Sequence, residues 1–487
     1  MPLRRFAAAV STVVLIALLG GANGEVGQAA GGARAGPDLS TPEAAKAYLV
    51  SQGFDPSKFI FQVGLKNYAG PSCPGLGWNC TGANLVVQIA TAGGENYAAC
   101  AEGVRQCVIV QGSSAGLAAP LKATGEDDVN MHGRCTPPPE GANMRLKDSG
   151  TLTCTITQDN PTTGNNHAVA SMSIHDNDSP TQRAQEDAVV TQTTHGDGDN
   201  HAVVHEEIVL YTTDGSTQMQ DGFQSLKLMQ DVVPLVEDTD VIPATGDNFG
   251  NVKQTQNITA RARSDDSVQL QQTTERVGGD PCISAAFVPA TDTNSCVEFH
   301  QTTGTGRNDL NVHQDHNVEA VASGTGADQT QGCTSKVCGL EMTGSQEPFG
   351  STNNVDNHQS ITYTLRGPDD ATQLQDPPIR NQGGSQMGST EDLWKVGQVA
   401  VLMASNPDAM QAHINEVSDT STGTVDAQSV IIIDGKRSEI VCNASSCSYV
   451  QACGDVPGET EIELFCPEFM DVTPTPGPTF TGVTRID

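Results

Sequence analysis

Basic residues are scarce in this chain: Lys and Arg number 25 against 58 Asp and Glu, a formal charge of -33. That balance excludes binding along a nucleic-acid backbone, which needs clustered cations to displace counterions. Aromatic residues are also few, at 4% of the chain, with 37% hydrophobic residues overall. Little is left for stacking on bases. One large conventional core is disfavoured as well, because Phe, Tyr and Trp normally supply much of core burial. Beyond the N-terminal region no apolar run is long enough to span a bilayer, so no transmembrane segment is expected. The P-loop, HExxH and dinucleotide fingerprints are missing, as are the CxxC knuckles of a zinc site.

What is present points to export. Arg4 and Arg5 precede an apolar stretch from Phe6 to Leu19, followed by Gly20, Gly21, Ala22 and Gly24. This is the layout of a secretory signal peptide, assigned to residues 1–24, and it predicts a secreted, extracellular or cell-surface protein. Its removal takes two arginines and no acid, so the mature charge is about -35. The fourteen cysteines agree: Cys73, Cys80, Cys100, Cys107, Cys135, Cys154, Cys282, Cys296, Cys333, Cys338, Cys442, Cys447, Cys453 and Cys466. Most lie close to a sequence neighbour, which in an oxidising compartment reads as seven local disulfides.

Residues 25–83 read as a small α/β cystine module. Ser40 and Glu43 have capping-box spacing, Pro42 suits a first helical turn, and Phe59-Ile60-Phe61-Gln62-Val63 reads as a strand. From Asn84 the texture changes to short alternating segments of Thr, Val, Gln and Asn between Gly, Asp and Ser, the vocabulary of an all-β protein. High charge with low hydrophobicity also suits disorder, but this patterning and the cysteines favour an ordered chain.

An internal repeat emerges when the chain is aligned on an Asn that follows a turn, reading every second residue. Asn166, Asn200, Asn248, Asn308 and Asn353 lead five units. Three of them carry Gln six residues later, at Gln254, Gln314 and Gln359, where Met172 and Glu206 stand in the first two. A second strand follows in each unit, marked by Gln182, Gln218, Gln269, Gln329 and Gln373. Unit starts are unevenly spaced, so length varies in loops rather than strands. Identical amides in stacked strands lie about 4.8 Å apart, so each can donate to one neighbour and accept from the other. Such amide ladders would satisfy buried polar groups without a large apolar core. The expected fold is therefore all-β: a repetitive β-solenoid or stacked β-hairpin array over 84–390, with small disulfide-rich terminal modules. Residues 391–470 read as a mixed module with a cystine-rich cap. Glu391 to Met403 is helix-like in content yet open to a strand, and Asp408 to Val417 reads as a short helix or a sixth unit. Residues 471–487 form a Pro/Thr-rich tail.

The stretches QTTHGDGDNHAVVHE (Gln192–Glu206) and QTTGTGRNDLNVHQ (Gln301–Gln314) resemble the curlin repeat, with its order of Gln, Gly-x-Asn-x-Ala and a further Gln. The resemblance covers residues 154–375. It implies stacked units of a secreted functional amyloid, although the units here are longer, less regular and interrupted by cysteines.

Site chemistry is thin. His167 and His201 follow the leading Asn and should point away from the ladder. His205, His313, His316 and His358 occupy strand positions where histidine is usually solvated, and His132, His195, His300 and His413 have no evident partners. Asp176-Asn-Asp178 and Asp197-Gly-Asp199-Asn200 raise calcium as an alternative, but tight turns require these same residue types. No catalytic, cofactor or metal residue is assigned. The expected function is a non-enzymatic structural or adhesive repeat protein of the cell surface or matrix, able to self-associate or to bind surface components. The alternative is a β-helix polysaccharide-processing enzyme or a carbohydrate-binding solenoid.

Overall fold

The chain is seen in a computed structural model. It describes residues 41–51, 59–69, 85–100, 106–113, 130–135, 150–277 apart from 162, 178, 214 and 238–239, 299–388 apart from 333–338 and 349–351, 391–455, 464–465 and 468–469. The described chain is all-β apart from one helix, Pro42–Ser51. Pro42 opens that helix, and its cap is Thr41, whose Oγ1 accepts the N–H of Ala44 at 3.2 Å. No helix among the described residues is long and apolar enough to cross a membrane.

A single sheet of 24 strands is built almost wholly of parallel pairs. Strand Phe59–Ala69 pairs with Leu85–Ala99. From there two columns diverge. The Asn column runs through Asn130–Cys135, Asn166–Asp176, Asn200–Thr212, Asn248–Ala262, Asn308–Ala322, Asn353–Arg366 and Leu393–Ala404. The Gln column runs through Gln106–Ser113, Gly150–Asp159, Thr181–His195 and Thr217–Val233. It then splits. One branch continues in Val268–Val277, Asp328–Gly332 and Thr372–Asp376, the other in Phe299–Thr303, Gly344–Pro348 and Pro378–Gln386. All columns meet again on the long strand Met410–Ile433, so the pairing network closes on itself.

Each strand pairs with its equivalent in the next unit. The hairpin form of the repeat therefore does not hold: among the described residues antiparallel pairing is confined to Leu235–Glu237 with Asp240–Ile242 and to the partners of Lys436–Asp455. The five leading Asn residues stand in one register. They recur at separations of 34, 48, 60 and 45 residues, the differences being absorbed between strands. One sequence alignment is shifted by two: Gln182 pairs with Gln220, not Gln218. Helix-like content after 391 is overridden as well. Leu393–Ala404 is a strand, its β-branched Val396, Val399 and Val401 suiting a pleated surface, and the segment after Asp408 joins Met410–Ile433.

Burial alternates strictly along the Asn strands. Inward positions place amides beside small apolar side chains such as Ala168, Ile174, Val204, Ile208, Val252 and Val312. This interior needs few aromatics because hydrogen-bonded amides fill several of its inward positions. Near the N-terminal end Ala45 of the helix packs with Leu85, Val87 and Val108 on the outer face of the second and third strands, which alternate with the inward Val86, Gln88 and Ile109. At the C-terminal end Lys436–Asp455 lies antiparallel along Met410–Ile433, covering the last parallel edge.

Candidate functional site

The polar interior is organised as ladders. Asn166 Nδ2 donates to Asn200 Oδ1 at 2.9 Å, Asn200 to Asn248 at 2.9 Å, Asn248 to Asn308 at 2.8 Å and Asn308 to Asn353 at 3.0 Å. At the plus-six position Gln398 donates to Gln359, Gln359 to Gln314, Gln314 to Gln254, and Gln254 to Glu206 Oε2 at 2.6 Å. Two more ladders follow the Gln-x-Gln signatures. One links Gln373, Gln329, Gln269 and Gln218, and the other Gln411, Gln375, Gln331, Gln271, Gln220 and Gln182.

The longest ladder escapes repeat alignment. It takes the last inward Gln before each turn to an Asn strand. Donation runs from Gln386 through Gln346, Gln301, Gln230, Gln192, Gln158, Gln111 and Gln88 to Gln62. Most of these amides also donate to a backbone carbonyl, as Gln192 does to His201 O. Its signal was the leading Gln in the two curlin-like strings.

Two glutamates interrupt this amide interior. Glu186 and Glu206 are both 0% exposed. Glu186 accepts from Gln224 Nε2 at 2.8 Å. Burial pushes both pKa values well above the usual carboxylate range; the Gln224 and Gln254 donations oppose this, while Glu207 and Asp187 raise Glu186, and Glu186 and Asp187 raise Glu206. Asp187, on the outer side of the same strand, is pushed up by burial to about 7 against the donors Ser225 and Gln185. An acid with a raised folded pKa holds its proton more tightly in the folded state. Its stability contribution is intact below about pH 4, where both states are protonated, and is lost as pH rises through the folded value. Glu206→Gln restores the amide found at Gln254, Gln314 and Gln359. It should raise stability by about 1–3 kcal/mol at pH 8 and change little at pH 4. Urea midpoints at the two pH values check this, and an equal shift at both would contradict the assignment.

The histidines divide into two sets. His167 and His201 lie on the outside, their rings 6.0 Å apart, with His201 4.7 Å from Phe249. Tyr68 and Tyr97 stack at 4.6 Å in the same register, which passes through His132. The result is an aromatic and imidazole stripe along the outer face. His316, expected on a solvated face, is instead buried, because it lies an even number of residues from Asn308 and shares its side of the strand. Its Nδ1 is 2.9 Å from Thr273 Oγ1, which also meets the Tyr363 hydroxyl, and burial lowers its pKa to about 3. His413, His195 and His300 have partners too: Asn415 Oδ1 at 2.6 Å, Asn160 O at 2.9 Å and Ser345 Oγ at 3.0 Å.

The turn acids serve the turns. Asn165 Oδ1 accepts the N–H of Asp199, Asp199 Oδ1 that of Asp247, and Asp247 Oδ1 that of Arg307. Disulfides join Cys100 to Cys107, Cys135 to Cys154 and Cys442 to Cys447. Cys453 is also disulfide-bonded. Cys73, Cys80, Cys282, Cys296, Cys333, Cys338, Cys466 and Asp178 lie outside the described residues. The sulfurs of Cys107, Cys135 and Cys154 converge at metal-site spacing, but all three are tied up in these disulfides. Gly112-Ser113-Ser114-Ala115-Gly116 has the spacing of a nucleophile elbow; the strand Gln106–Ser113 reaches its second residue, and the rest lies outside the described residues.

No protein-family model, no curated protein and no solved structure matches this chain.

Proposed function

We propose that the chain is a secreted, non-enzymatic β-solenoid that acts as a structural or adhesive element of the cell surface or extracellular matrix. The observation that carries this reading is the Gln ladder from Gln62 to Gln386, which threads almost every rung. The repeated polar residues serve strand stacking. Their side chains face inward, away from any substrate. The curlin-like order of Gln, turn Gly and Asn supports the same reading, since it supplies one member to each of two ladders. The covered C-terminal edge and the charge of about -35 favour a finite rod over open-ended fibre growth. Purified mature protein should be monomeric at low salt, and any association should increase with salt or acid, as followed by sedimentation and cross-β dye binding. Release of reducing or unsaturated ends from an acidic polysaccharide, abolished by one carboxylate-to-amide change, would defeat the proposal.

A second reading, a carbohydrate-binding solenoid, is favoured by the outer stripe of Tyr68, Tyr97, His167, His201 and Phe249. Flat rings in a row offer apolar contact and polar edges to an extended glycan. A glycan array probed with wild type and with His201→Ala/Phe249→Ala tests it. Binding lost in the double variant supports carbohydrate recognition, and a blank array with wild type removes it.

A further inference from the structure

Outward positions of the Asn strands form rows along the stack. One row reads His205, Lys253, His313, His358 and Gly397 on successive rungs. The rings of His313 and His358 lie parallel, 5.1 Å between centroids and 12° between planes. Two residues beyond His313 on the same face, Asp315 brings Oδ2 to 3.0 Å from His313 Nε2. The other oxygen, Oδ1, accepts from Ser360 Oγ on the next rung, which orients the carboxylate. The ring of His358 has room, because its far neighbour is Gly397: a Cβ there would stand 3.2 Å from His358 Nδ1.

We propose that His313, His358 and Asp315 form a binding site for a divalent first-row transition ion such as Zn²⁺. Metal–ligand bonds to imidazole nitrogen and carboxylate oxygen are about 2.0–2.2 Å, and a 3.0 Å N···O separation spans them with a bite angle of about 90°. At 5.1 Å between ring centroids the three donors do not yet converge, and the exposed His358 must rotate for its ring nitrogen to join the other two. Two imidazoles and one carboxylate suit zinc-like ions and supply too few oxygens for calcium. Three protein donors leave a position open to water or to a donor from another molecule. The Ser360 bond is the outer support that metal-ligating carboxylates use.

The chain contains its own comparison. His175 Nε2 lies 3.3 Å from Glu207 Oε2, a similar imidazole–carboxylate pair. Its register partner on the following rung is Val209 rather than an imidazole.

Isothermal titration of the full mature chain with Zn²⁺ at pH 7.5 tests the site, with Mg²⁺ as the hard-cation control. Wild type should show a zinc site that Mg²⁺ does not fill. His358→Ala and Asp315→Asn should each weaken it at least tenfold, and Ser360→Ala about tenfold, the usual loss for an outer-shell partner. His175→Gln should leave the isotherm unchanged. Far-UV circular dichroism checks folding, and if His358→Ala misfolds the Asp315→Asn and Ser360→Ala isotherms decide. Absence of zinc binding in wild type overturns the proposal. So does binding that survives His313→Ala/His358→Ala, or binding lost in His175→Gln alone.

Discussion

Gln230→Leu is expected to lower stability by about 3–5 kcal/mol, read as a drop in the urea midpoint of the far-UV signal. Gln230 sits mid-ladder with 0% exposure. Its Nε2 donates to Gln192 Oε1 at 2.8 Å and to the carbonyls of Phe249 and Asn200 at 2.9 and 3.2 Å, and its Oε1 accepts from Gln301 at 2.6 Å. Leucine has nearly the same volume and is more apolar, so area arguments alone predict a neutral or favourable change. The hydrogen-bond argument predicts the opposite sign. Gln192 Oε1 and one Gln301 N–H would be stranded without water, each at about 1–3 kcal/mol. Stacked units are coupled mainly to their neighbours, so the loss should open the middle of the stack before the ends. Hydrogen exchange should report faster exchange first in Thr217–Val233 and Phe299–Thr303. A variant as stable as wild type would mean that the ladders follow from the strand register rather than hold it.

The Asn register was legible in the sequence because two signals coincide there: a turn residue immediately before Asn and a period of two after it. The plus-six Gln column was legible for the same reason, since no insertion separates it from the Asn on its own strand. The longest ladder was not, because the chain between its Gln and the next Asn varies. After Gln230 it holds the hairpin Leu235–Ile242, whereas after Gln192 it is a tight turn. A fixed offset cannot find residues separated by elastic loops. The strand after 391 had a usable clue in Gln398, which continues the Gln359 ladder at 3.2 Å, but local helix-like composition masked it. His316 was misplaced by residue type: histidine suggested solvent, while its even offset from Asn308 already assigned it inward. Asp187 was beyond sequence reasoning. Alternation marks it as outward, and the outer side of Thr181–His195 is itself covered over the run from Ala184 to Val190.

Gly246→Ala should be at least as damaging, costing about 3 kcal/mol or more, because the obstacle is backbone and cannot rotate away. A glycine stands two residues before the leading Asn in four units, at Gly164, Gly198, Gly246 and Gly306. At this corner successive rungs approach closely. A Cβ on Gly246 would run into Gly198 O and lie 2.6 Å from Gly198 C and 3.0 Å from Asp197 C. Relief requires the rungs to separate. They are held there by Gly246 N–H and Thr245 N–H on Gly196 O at 3.1 and 2.7 Å, and by Asp247 N–H on Asp199 Oδ1 at 2.8 Å. Separation would also pull apart the Asn200–Asn248 amide bond two residues away. Gly435→Ala supplies the contrast. That residue has φ of +81° but nothing within 4 Å of the added methyl, so only left-handed backbone strain of about 1 kcal/mol is expected. Thermal melts of the two variants separate close approach from conformational preference. A Gly246→Ala loss no larger than that of Gly435→Ala would mean that the corner yields, and that the spacing of the rungs is set by the ladders alone.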